Sequence, residues 1–297
     1  MKKVKNTIPV YDICSLQGKD QLSNEIIAEP FASYLEAHPN LPLPHRHSFF
    51  HMVLFTKGAG HHTIDFQQFP VAPGQIYFMK PGQVHSWNFE GETDGYVINF
   101  SEHLFEHFLM NSHYTDAFSF FQGVADDCVI ALDAETFAGV KTTFKKIVQE
   151  VHSNEAQSAD LLRVYLIELF VLVSRSVSKA EQSLSKPQNQ LLLHNFRKLV
   201  DIHYAEKRLP KDYAALLYIT PNHLNALSKD LLGRSAGEVI RDRILLEAKR
   251  LLINVDISIA DIAAKLSFTD SSHFTKFFKK YTGITPEGFR KSSFGRV

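Results

Sequence analysis

Short apolar runs alternate with turn signals between residues 26 and 100. Two of these runs, 51–55 (HMVLF) and 75–79 (QIYFM), are rich in β-branched and aromatic residues, which favour strands. Glycine- and proline-containing segments follow at 57–60, 72–74, 80–82 and 90–91. Strand–turn spacing of this regularity predicts an all-β sandwich or barrel.

The apolar spacing becomes helical after residue 101. Segments 134–152 and 160–176 both carry apolar residues at helical intervals. In the second segment they cover most of the circumference, so this helix is expected to be buried, either in its own core or against a second subunit. The polar stretch 178–190 lacks such a pattern and is predicted to be a linker. The chain after it is predicted to be all helical.

The helical C-terminal region contains an internal repeat. Residues 212–220 match 261–270 at an offset of 49, and beyond them Gly233 matches Gly283 at an offset of 50. Each copy has a short helix with a small central residue, a tight turn, and a second helix that begins after Thr220 or Asp270. The glycines suit the ends of the second helices. Two helices joined by a tight turn form the helix-turn-helix pattern.

Charge separates the two halves of the chain. From residue 187 onward there are 18 Lys and Arg residues and 11 Asp and Glu residues. Residues 1–186 contain 14 Lys and Arg and 21 Asp and Glu. The formal net charge of zero is therefore the sum of an acidic N-terminal module and a basic C-terminal module. A basic module suggests a polyanionic partner, because neutralising phosphates releases counterions. A solvated basic surface without such a partner is the alternative.

The cysteine count and the N-terminal sequence indicate the cellular compartment. Cys14 and Cys128 are too few for a disulfide framework or a cysteine metal cluster. The basic start is not followed by the apolar run of a signal peptide, and no segment approaches the roughly 20 apolar residues that span a bilayer. We therefore expect a cytoplasmic protein without a membrane partner.

Polar side chains line the predicted exposed face of the second helix in each copy. Asn, Ser, His and Lys side chains contact base edges or phosphates. The predicted DNA-binding residues are Asn222, His223, Asn225, Ser271, Ser272, His273, Lys276, Lys279 and Lys280. Arg290 and Lys291 extend the basic cluster. A helical interaction domain with no DNA role is the alternative.

The repeat region resembles the AraC/XylS family of bacterial regulators over about residues 191–293. The resemblance rests on segments 259–263, 268–274, 277–286 and 289–290, with support from 220–224 and 233–235. It implies that two recognition helices enter successive major-groove segments. Ser267 stands where the family usually has Gly, so a positive φ would be less comfortable and that turn is expected to differ slightly. Ala226 occupies a place often held by Arg.

The N-terminal half resembles the cupin-type sensor domain of that family. The motif residues are His45, His47 and His51, then Gly58, then 81–85 (PGQVH). The resemblance implies an effector pocket lined by His45, His47, Phe55, Tyr77, His85 and Trp87. A metal bound by His45, His47, His51 and His85 is a less favoured alternative, since metal cupins carry Glu where His51 stands. Purely structural histidines are the third interpretation.

These observations predict an all-β cupin-like barrel, a helical pair and an all-α domain with two helix-turn-helix motifs. The expected boundaries are 1–132 for the sensor, 133–177 for a dimerisation pair, 178–190 for the linker and 191–297 for the DNA-binding domain. We expect an effector-controlled regulator that binds double-stranded DNA as a homodimer and contacts RNA polymerase. It is not expected to be an enzyme or to need a cofactor. We assign it the role of activator, although the residues do not separate activation from repression. A metal-dependent cupin enzyme or metal sensor with a DNA-binding domain is the alternative.

Overall fold

Two compact units account for the described part of the chain. The structure, a computed structural model, describes residues 8–16, 25–105, 114–153, 155–181 and 187–294. One unit contains the described residues from Pro9 to Glu181, and the other contains those from Pro187 to Phe294 together with Ile8.

The first unit is built from strands followed by two long helices. Its strands are β1 (Val10–Tyr11), β2 (Ile26–Pro30), β3 (His45–His47), β4 (Phe50–Lys57), β5 (Gly60–Ile64), β6 (Gln67–Pro70), β7 (Gln75–Met79), β8 (Val84–Phe89), β9 (Asp94–Phe100) and β10 (Val129–Ala131). Its α-helices are α1 (Phe31–Ala37), α2 (Ala134–Val151) and α3 (Ser158–Glu181). The strands form two five-stranded sheets, with the orders β1-β3-β8-β5-β6 and β10-β7-β4-β9-β2.

Strand β4 carries a continuous apolar run instead of the alternating pattern of a strand with one exposed face. All six residues from Phe50 to Phe55 are buried. Successive side chains of a strand point to opposite faces of the sheet. Met52 and Leu54 pack in one core cluster with α2 and α3, whereas Val53 and Phe55 belong to a second cluster with Trp87 of the other sheet. The β10-β7-β4-β9-β2 sheet is therefore covered on both faces.

Helix α1 was not predicted within the strand-rich region. Its Phe31 and Tyr34 are fully buried and lie on one face at an i, i+3 spacing. Phe31 makes edge-on contacts with the rings of Phe55 and Trp87. The prediction of strands throughout 26–100 was therefore wrong for these seven residues. Burial of the two aromatic side chains stabilises about two helical turns that local propensity does not indicate.

Helices α2 and α3 pack on the outer face of the β4 sheet. Phe144 and Phe170 are fully buried there. Helix α3 is not buried all round, since Leu161 and Val164 are 39% and 49% exposed. The core of a single chain therefore does not bury this helix completely, and burial against a second subunit stays a prediction.

The second unit is all helical in its described residues. Its helices are α4 (Pro187–His203), α5 (Pro210–Leu216), α6 (Pro221–Leu232), α7 (Ala236–Leu252), α8 (Ile259–Lys265), α9 (Ser271–Thr282) and α10 (Pro286–Phe294). One core cluster joins α4, α5, α6 and α7, and another joins α7, α8, α9 and α10. Helix α7 thus forms part of both cores.

The predicted linker is partly helical. Helix α3 includes residues 178–181, and α4 begins at Pro187. Proline suits the first position of a helix, because its missing N–H has no partner there. Residues 182–186 of the predicted linker lie outside the described residues.

Candidate DNA interface and effector site

The second helix of each repeat starts with a side-chain cap and ends at a glycine. Thr220 Oγ1 accepts the backbone N–H of His223 at 3.1 Å, and Asp270 Oδ1 accepts that of His273 at 2.8 Å. Gly233 and Gly283 adopt left-handed conformations with φ of 67° and 80°. The start and stop signals predicted for α6 and α9 are therefore confirmed.

The turn before each of these helices has the same backbone conformation. Tyr218 follows α5 with φ of 54°, and Ser267 follows α8 with φ of 52°. The expectation that Ser267 would alter its turn was wrong, since it takes the positive φ despite its Cβ. Non-glycine residues adopt this region at a cost of about 1–2 kcal/mol. The packing of the surrounding helices therefore holds both turns in this positive-φ conformation.

The inner faces of the two motifs hold that packing. Ala214 of α5 and Ala263 of α8 are buried, where a small side chain allows the second helix to approach closely. Leu224 fills the core beside α5, and Phe274 takes the equivalent place beside α8. Phe278 likewise stands where the first motif has the buried Ser228. The second helix of the second motif is therefore more aromatic on its inner face, while the helix-turn-helix geometry is kept.

The outer faces of α6 and α9 are exposed and polar. The exposed side chains on them include Asn222, His223, Ala226 and Lys229 of α6, and Ser272, His273, Lys276, Lys279 and Lys280 of α9. Helix α6 has no net charge, because Lys229 is followed by Asp230, whereas α9 carries three lysines and no acidic residue. The two faces share a position in the fold but differ in charge.

Some of the predicted DNA-binding side chains make contacts inside the unit. Asn225 Oδ1 accepts the backbone N–H of Ala236 at 3.1 Å, which places it against the start of α7. His273 Nδ1 lies 3.1 Å from Asp270 Oδ2. Arg290, which the sequence suggested as part of the basic cluster, donates to the carbonyls of Leu252 and Ile257 at 3.0 and 2.6 Å. Asn225 and Arg290 thus hold the helices of this unit together.

Helix α7, which contributes to both cores, is capped at its start and bonded to α4 along its length. Ser235 and Glu238 form the predicted capping box at its start. Arg243 donates to Asp201 Oδ1 at 2.6 Å and to Glu247 Oε2 at 3.0 Å, and its guanidinium lies 4.1 Å from the ring centroid of Tyr204. Such charge-assisted bonds are stronger than neutral ones.

A second tie between the motifs was not predicted. The Arg208 guanidinium lies 3.8 Å from the ring centroid of Phe268 and donates to the carbonyl of Leu266. Arg208 precedes the first motif, and both partners belong to the second. An arginine that precedes a helix gives no sequence signal for such a contact.

The predicted effector-binding residues lie together between the two sheets. His45, His47, Phe55, Tyr77, His85 and Trp87 are all buried. The ring centroids of Phe55 and Tyr77 are 5.3 Å apart, and those of His85 and Trp87 are 4.9 Å apart. The Tyr77 hydroxyl donates to Pro70 O at 2.9 Å or to Gln75 Oε1 at 3.0 Å. Tyr77 therefore presents its ring, rather than a free hydroxyl, to the interior.

Five buried imidazoles, the histidine cluster, stand in the same interior. Its members are His45, His47, His51, His62 and His85. Strand pairing sets His45 directly opposite His85, while β5 brings His62 to the other side of β8. The ring centroids of His45 and His85 are 4.1 Å apart, and those of His47 and His51 are 4.8 Å apart.

Burial keeps the histidine cluster neutral. Desolvation lowers the pKa of His45 to about 4 and that of His51 to about 3. Desolvation, followed by the proximity of other imidazoles, lowers the pKa of His47, His62 and His85 well below the usual value. Burial in a low-dielectric interior disfavours the charged form of histidine.

His62 and the two residues that support His51, Asn99 and Tyr34, were not predicted from the sequence. His51 Nδ1 lies 2.6 Å from Asn99 Oδ1, and the Asn99 amide donates to the Tyr34 hydroxyl at 3.0 Å. His62 Nε2 lies 3.0 Å from His85 Nδ1. A signal for His62 was present in the strand period, because successive side chains of a strand point to opposite faces. Along β5 this places His62 and Ile64 in the interior and His61 outside.

The two units define a transcription regulator with a ligand-binding sensor domain and a helix-turn-helix DNA-binding domain. Residues 35–169 match the model of the AraC-like ligand binding domain, and residues 213–292 match that of a helix-turn-helix domain. The chain belongs to the AraC/XylS family. The cupin-like fold class predicted for the N-terminal region and the all-helical class predicted for the C-terminal region are confirmed.

Relatives match across both units. The HTH-type transcriptional activator RhaR of Yersinia pestis bv. Antiqua (strain Angola) is 21% identical over 250 residues, which cover 83% of this chain and 84% of that protein. RhaR of Cronobacter sakazakii (strain ATCC BAA-894) is 20% identical over 255 residues, covering 85% and 88%.

Solved structures of similar proteins include two regulators. Wild-type ToxT from Vibrio cholerae strain SCE256 with bound unsaturated fatty acid is 12% identical, covers 90% of this chain and 95% of its own, and has a TM-score of 0.44. An AraC-type regulator from Chromobacterium violaceum is 24% identical, covers 36% and 95%, and has a TM-score of 0.32. Across the described residues of this chain, no helix is both long and apolar enough to cross a membrane.

Proposed function

We propose that α6 and α9 lie in successive major-groove segments of an operator and that their exposed faces contact the DNA. The proposal is carried by the matched pair of motifs, which have equivalent N-terminal caps, the same positive-φ turn and left-handed glycines at their ends. A rigid pair of exposed helices joined through α7 is suited to reading two sites on one face of a duplex. The proposed contact residues are Asn222, His223, Asn225, Ser271, Ser272, His273, Lys276, Lys279 and Lys280.

The two helices are proposed to contribute unequally. Lys276 is exposed at the centre of α9, whereas Ala226 occupies the equivalent place on α6. Lysine donates to the O6 and N7 acceptors of guanine, and alanine has no polar group to offer. We therefore assign base reading mainly to α9 and positioning mainly to α6. The contact with the backbone N–H of Ala236 engages the side-chain oxygen of Asn225 inside the unit, which leaves less of this side chain for base reading.

The sensor unit is proposed to form a homodimer through α2 and α3. The support is the exposure of Leu161 and Val164 on α3, one helical turn apart. Apolar residues at i and i+3 on an exposed helix face gain stability when a partner helix covers them. A dimer would present two DNA-binding units to paired half-sites.

The effector is proposed to be a small molecule bound between the two sheets, near the predicted lining residues. The Trp87 indole N–H is buried and has no hydrogen-bond acceptor among the described residues. A buried unpaired donor is unfavourable, so a ligand that carries an acceptor would stabilise the site. Effector binding would act by shifting the population of DNA-binding conformations.

Further aspects of the proposal concern organisation and cellular role. We retain the boundaries 1–132, 133–177, 178–190 and 191–297 for the sensor, dimerisation pair, linker and DNA-binding domain. The relatives named as transcriptional activators support a role as activator. We propose that the protein contacts RNA polymerase, acts in the cytoplasm and is not an enzyme.

DNA binding can be tested with the full-length protein. Selection from random duplexes, followed by hydroxyl-radical footprinting, should give a site with two protected segments about one helical turn apart on one face per DNA-binding unit. Affinity should fall steeply with salt because lysines displace counterions from phosphates. A folded protein that protects no specific sequence would refute the proposal.

A pair of lysine substitutions provides the matched control. Lys276→Ala should change the preferred base at one position by about 1–3 kcal/mol of discrimination. Lys145→Ala removes the same charge from an exposed position on α2 and should leave the selected sequence unchanged. If both variants kept the parental specificity, the assignment of base reading to α9 would be wrong.

A further inference from the structure

A row of three aromatic side chains in the second motif lies against the first motif. The row consists of Phe268, Phe277 and Tyr281, with ring centroids 5.1 Å apart for the first pair and 5.2 Å apart for the second. Phe268 and Phe277 are half-buried and pack against both core clusters of the DNA-binding unit. This aromatic row is therefore a direct contact between the two motifs, in addition to helix α7.

An arginine from outside the second motif lies over each end of the aromatic row. The Arg208 guanidinium is 3.8 Å from the ring centroid of Phe268, and the Arg241 guanidinium is 4.5 Å from that of Tyr281. Arg241 also lies 3.7 Å from the carboxylates of Glu238 and Asp242. Arg208 pairs with no carboxylate in the described part of the chain. Its contacts with the second motif are therefore the ones that hold the Arg208 side chain.

The internal repeat shows that these contacts do not belong to the helix-turn-helix motif itself. Arg208 stands two residues before α5, and the equivalent residue before α8 is Ile257. The first motif has aliphatic side chains in place of the aromatic row, namely Ile219, Leu227 and Leu231. Both motifs nevertheless have the same caps and the same turn. A contact that one of two equivalent motifs lacks is not needed to form the motif, so its effect is on how the motifs are placed relative to each other.

The Arg208 contact restricts how the two motifs can move. Two packed bodies joined through a single element can rotate and slide about it, and a second contact away from that element limits this motion. Arg208 lies outside α7 and provides such a contact. We propose that Arg208 is a positioning residue that fixes the distance and rotation between α6 and α9, and thereby the spacing of the two DNA segments that the protein recognises. The proposal rests on the placement of α6 and α9 in the major groove proposed above.

The chemistry of the contact requires a guanidinium. Arg208 places its planar group over the Phe268 ring and also donates to the carbonyl of Leu266, which ends α8 directly before the positive-φ residue Ser267. A guanidinium stacks on an aromatic face and donates hydrogen bonds in its own plane, and the attraction to the ring strengthens when the pair is partly removed from water. A lysine at this position would keep the charge and one hydrogen bond but would lose the planar stacking.

The first test measures how binding of the full-length protein depends on spacing. One base pair inserted between the two recognised segments of a selected duplex separates them by about 3.4 Å more and rotates them by about 34°. In fluorescence anisotropy this insertion should weaken wild-type binding at least about 10-fold. Arg208→Ala should reduce that spacing penalty about 3- to 10-fold and keep the base preference within each segment, and Arg208→Lys should have an intermediate penalty. The control Lys211→Ala removes the same charge from an exposed position on α5 and should keep the wild-type penalty.

A second test without DNA separates this proposal from the proposed DNA contacts. Lys229 and Lys279 are exposed at equivalent positions on α6 and α9, so Lys229→Cys and Lys279→Cys can carry spin labels in a Cys14→Ser background. Pulsed electron paramagnetic resonance should give one narrow distance distribution in the otherwise wild-type chain and in Lys211→Ala, and a broader one in Arg208→Ala. Equal distributions would overturn the positioning role whatever the DNA result. A broader distribution without any two-segment DNA site would instead refute the placement of α6 and α9 on DNA.

The spacing measurements decide the proposal in the same way. A wild-type spacing penalty in folded Arg208→Ala would overturn it, even if the melting temperature falls, because the residue would then only stabilise the fold. An equal change in Lys211→Ala would also overturn it. If Arg208→Ala does not fold, Phe268→Ile takes its place, since it removes the ring but keeps an apolar side chain of the type that the first motif has at Ile219. This variant should show the same reduced penalty, and a wild-type penalty would overturn the proposal.

Discussion

Mild acid should unfold the sensor unit through the histidine cluster. Burial holds the pKa of all five imidazoles below the value of an exposed histidine, at about 4 for His45 and about 3 for His51. The unfolded chain has the ordinary pKa of about 6.5. The unfolded state therefore binds more protons below that pH, so the stability contribution is complete above about pH 6.5 and is lost as pH falls toward 4.

The magnitude follows from proton linkage. At about pH 5.5, one unit below the unfolded pKa, each neutral buried histidine lowers the free energy of unfolding by about 1.4 kcal/mol. The five members of the cluster together lower it by up to about 7 kcal/mol. A typical domain is stable by about 5–15 kcal/mol, so the loss is large enough to unfold the sensor unit or bring it close to unfolding.

The assay is urea unfolding of the metal-free full-length protein at about pH 7.5, 6.5 and 5.5, followed by Trp87 emission. As the single tryptophan, 4% exposed, Trp87 reports on the sensor unit alone. The urea midpoint should fall steeply between about pH 6.5 and 5.5. His62→Gln should reduce the pH-dependent loss by about 1.4 kcal/mol, and His61→Gln should leave it unchanged.

The reasoning would be refuted by a urea midpoint that stays constant from about pH 7.5 to 5.5 in the metal-free protein. It would be refuted equally if His61→Gln changed the pH dependence as much as His62→Gln does.

Three further predictions concern the DNA-binding unit. Asn225→Ala should lower the free energy of unfolding of this unit by about 1 kcal/mol, because the start of α7 loses a capping bond. The control Asn222→Ala, at an exposed position, should change that free energy by less than about 0.5 kcal/mol. Equal shifts of the melting temperature in the two variants would contradict this. Ser267→Gly should raise thermal stability by about 1 kcal/mol by relieving a positive φ, and a lower melting temperature would show that the Ser267 side chain stabilises the turn. Lys279→Ala should weaken binding to specific and random duplexes alike and reduce the salt slope by about one, as measured by fluorescence anisotropy; loss of binding to the specific duplex alone would identify Lys279 as a base-reading residue.

Much of the DNA-binding unit could be predicted because its signals are local. Thr220 and Asp270 cap backbone groups three residues away, and Gly233 and Gly283 end helices through their own backbone conformation. Contacts of this range depend on a few neighbouring residues. Local preference is a poor guide at Ser267, because a residue with a Cβ disfavours a positive φ. The packed helices nevertheless impose a positive φ on Ser267.

Contacts between distant segments could not be predicted in this way. Nothing local indicates that Asn225 meets the start of α7, or that Arg208 lies over Phe268. Both depend on how α7 joins the two cores. The sequence likewise does not show which apolar residues of α3 are exposed, because apolar residues surround most of that helix. Leu161 and Val164 are exposed because another face of α3 packs on the β4 sheet.

The sequence by itself determined the two helix-turn-helix motifs, the strand-rich sensor and the histidines at 45, 47, 51 and 85. The tertiary structure alone decided that His62 joins them and which ring nitrogen of His45 and of His51 carries a lone pair. Strands β3, β4, β5 and β8 bring these imidazoles together from both sheets, and Leu43 and Asn99 orient two of the rings from outside the cluster. Strand order and register create these contacts between residues that are far apart in the chain, and no local pattern of side chains specifies them.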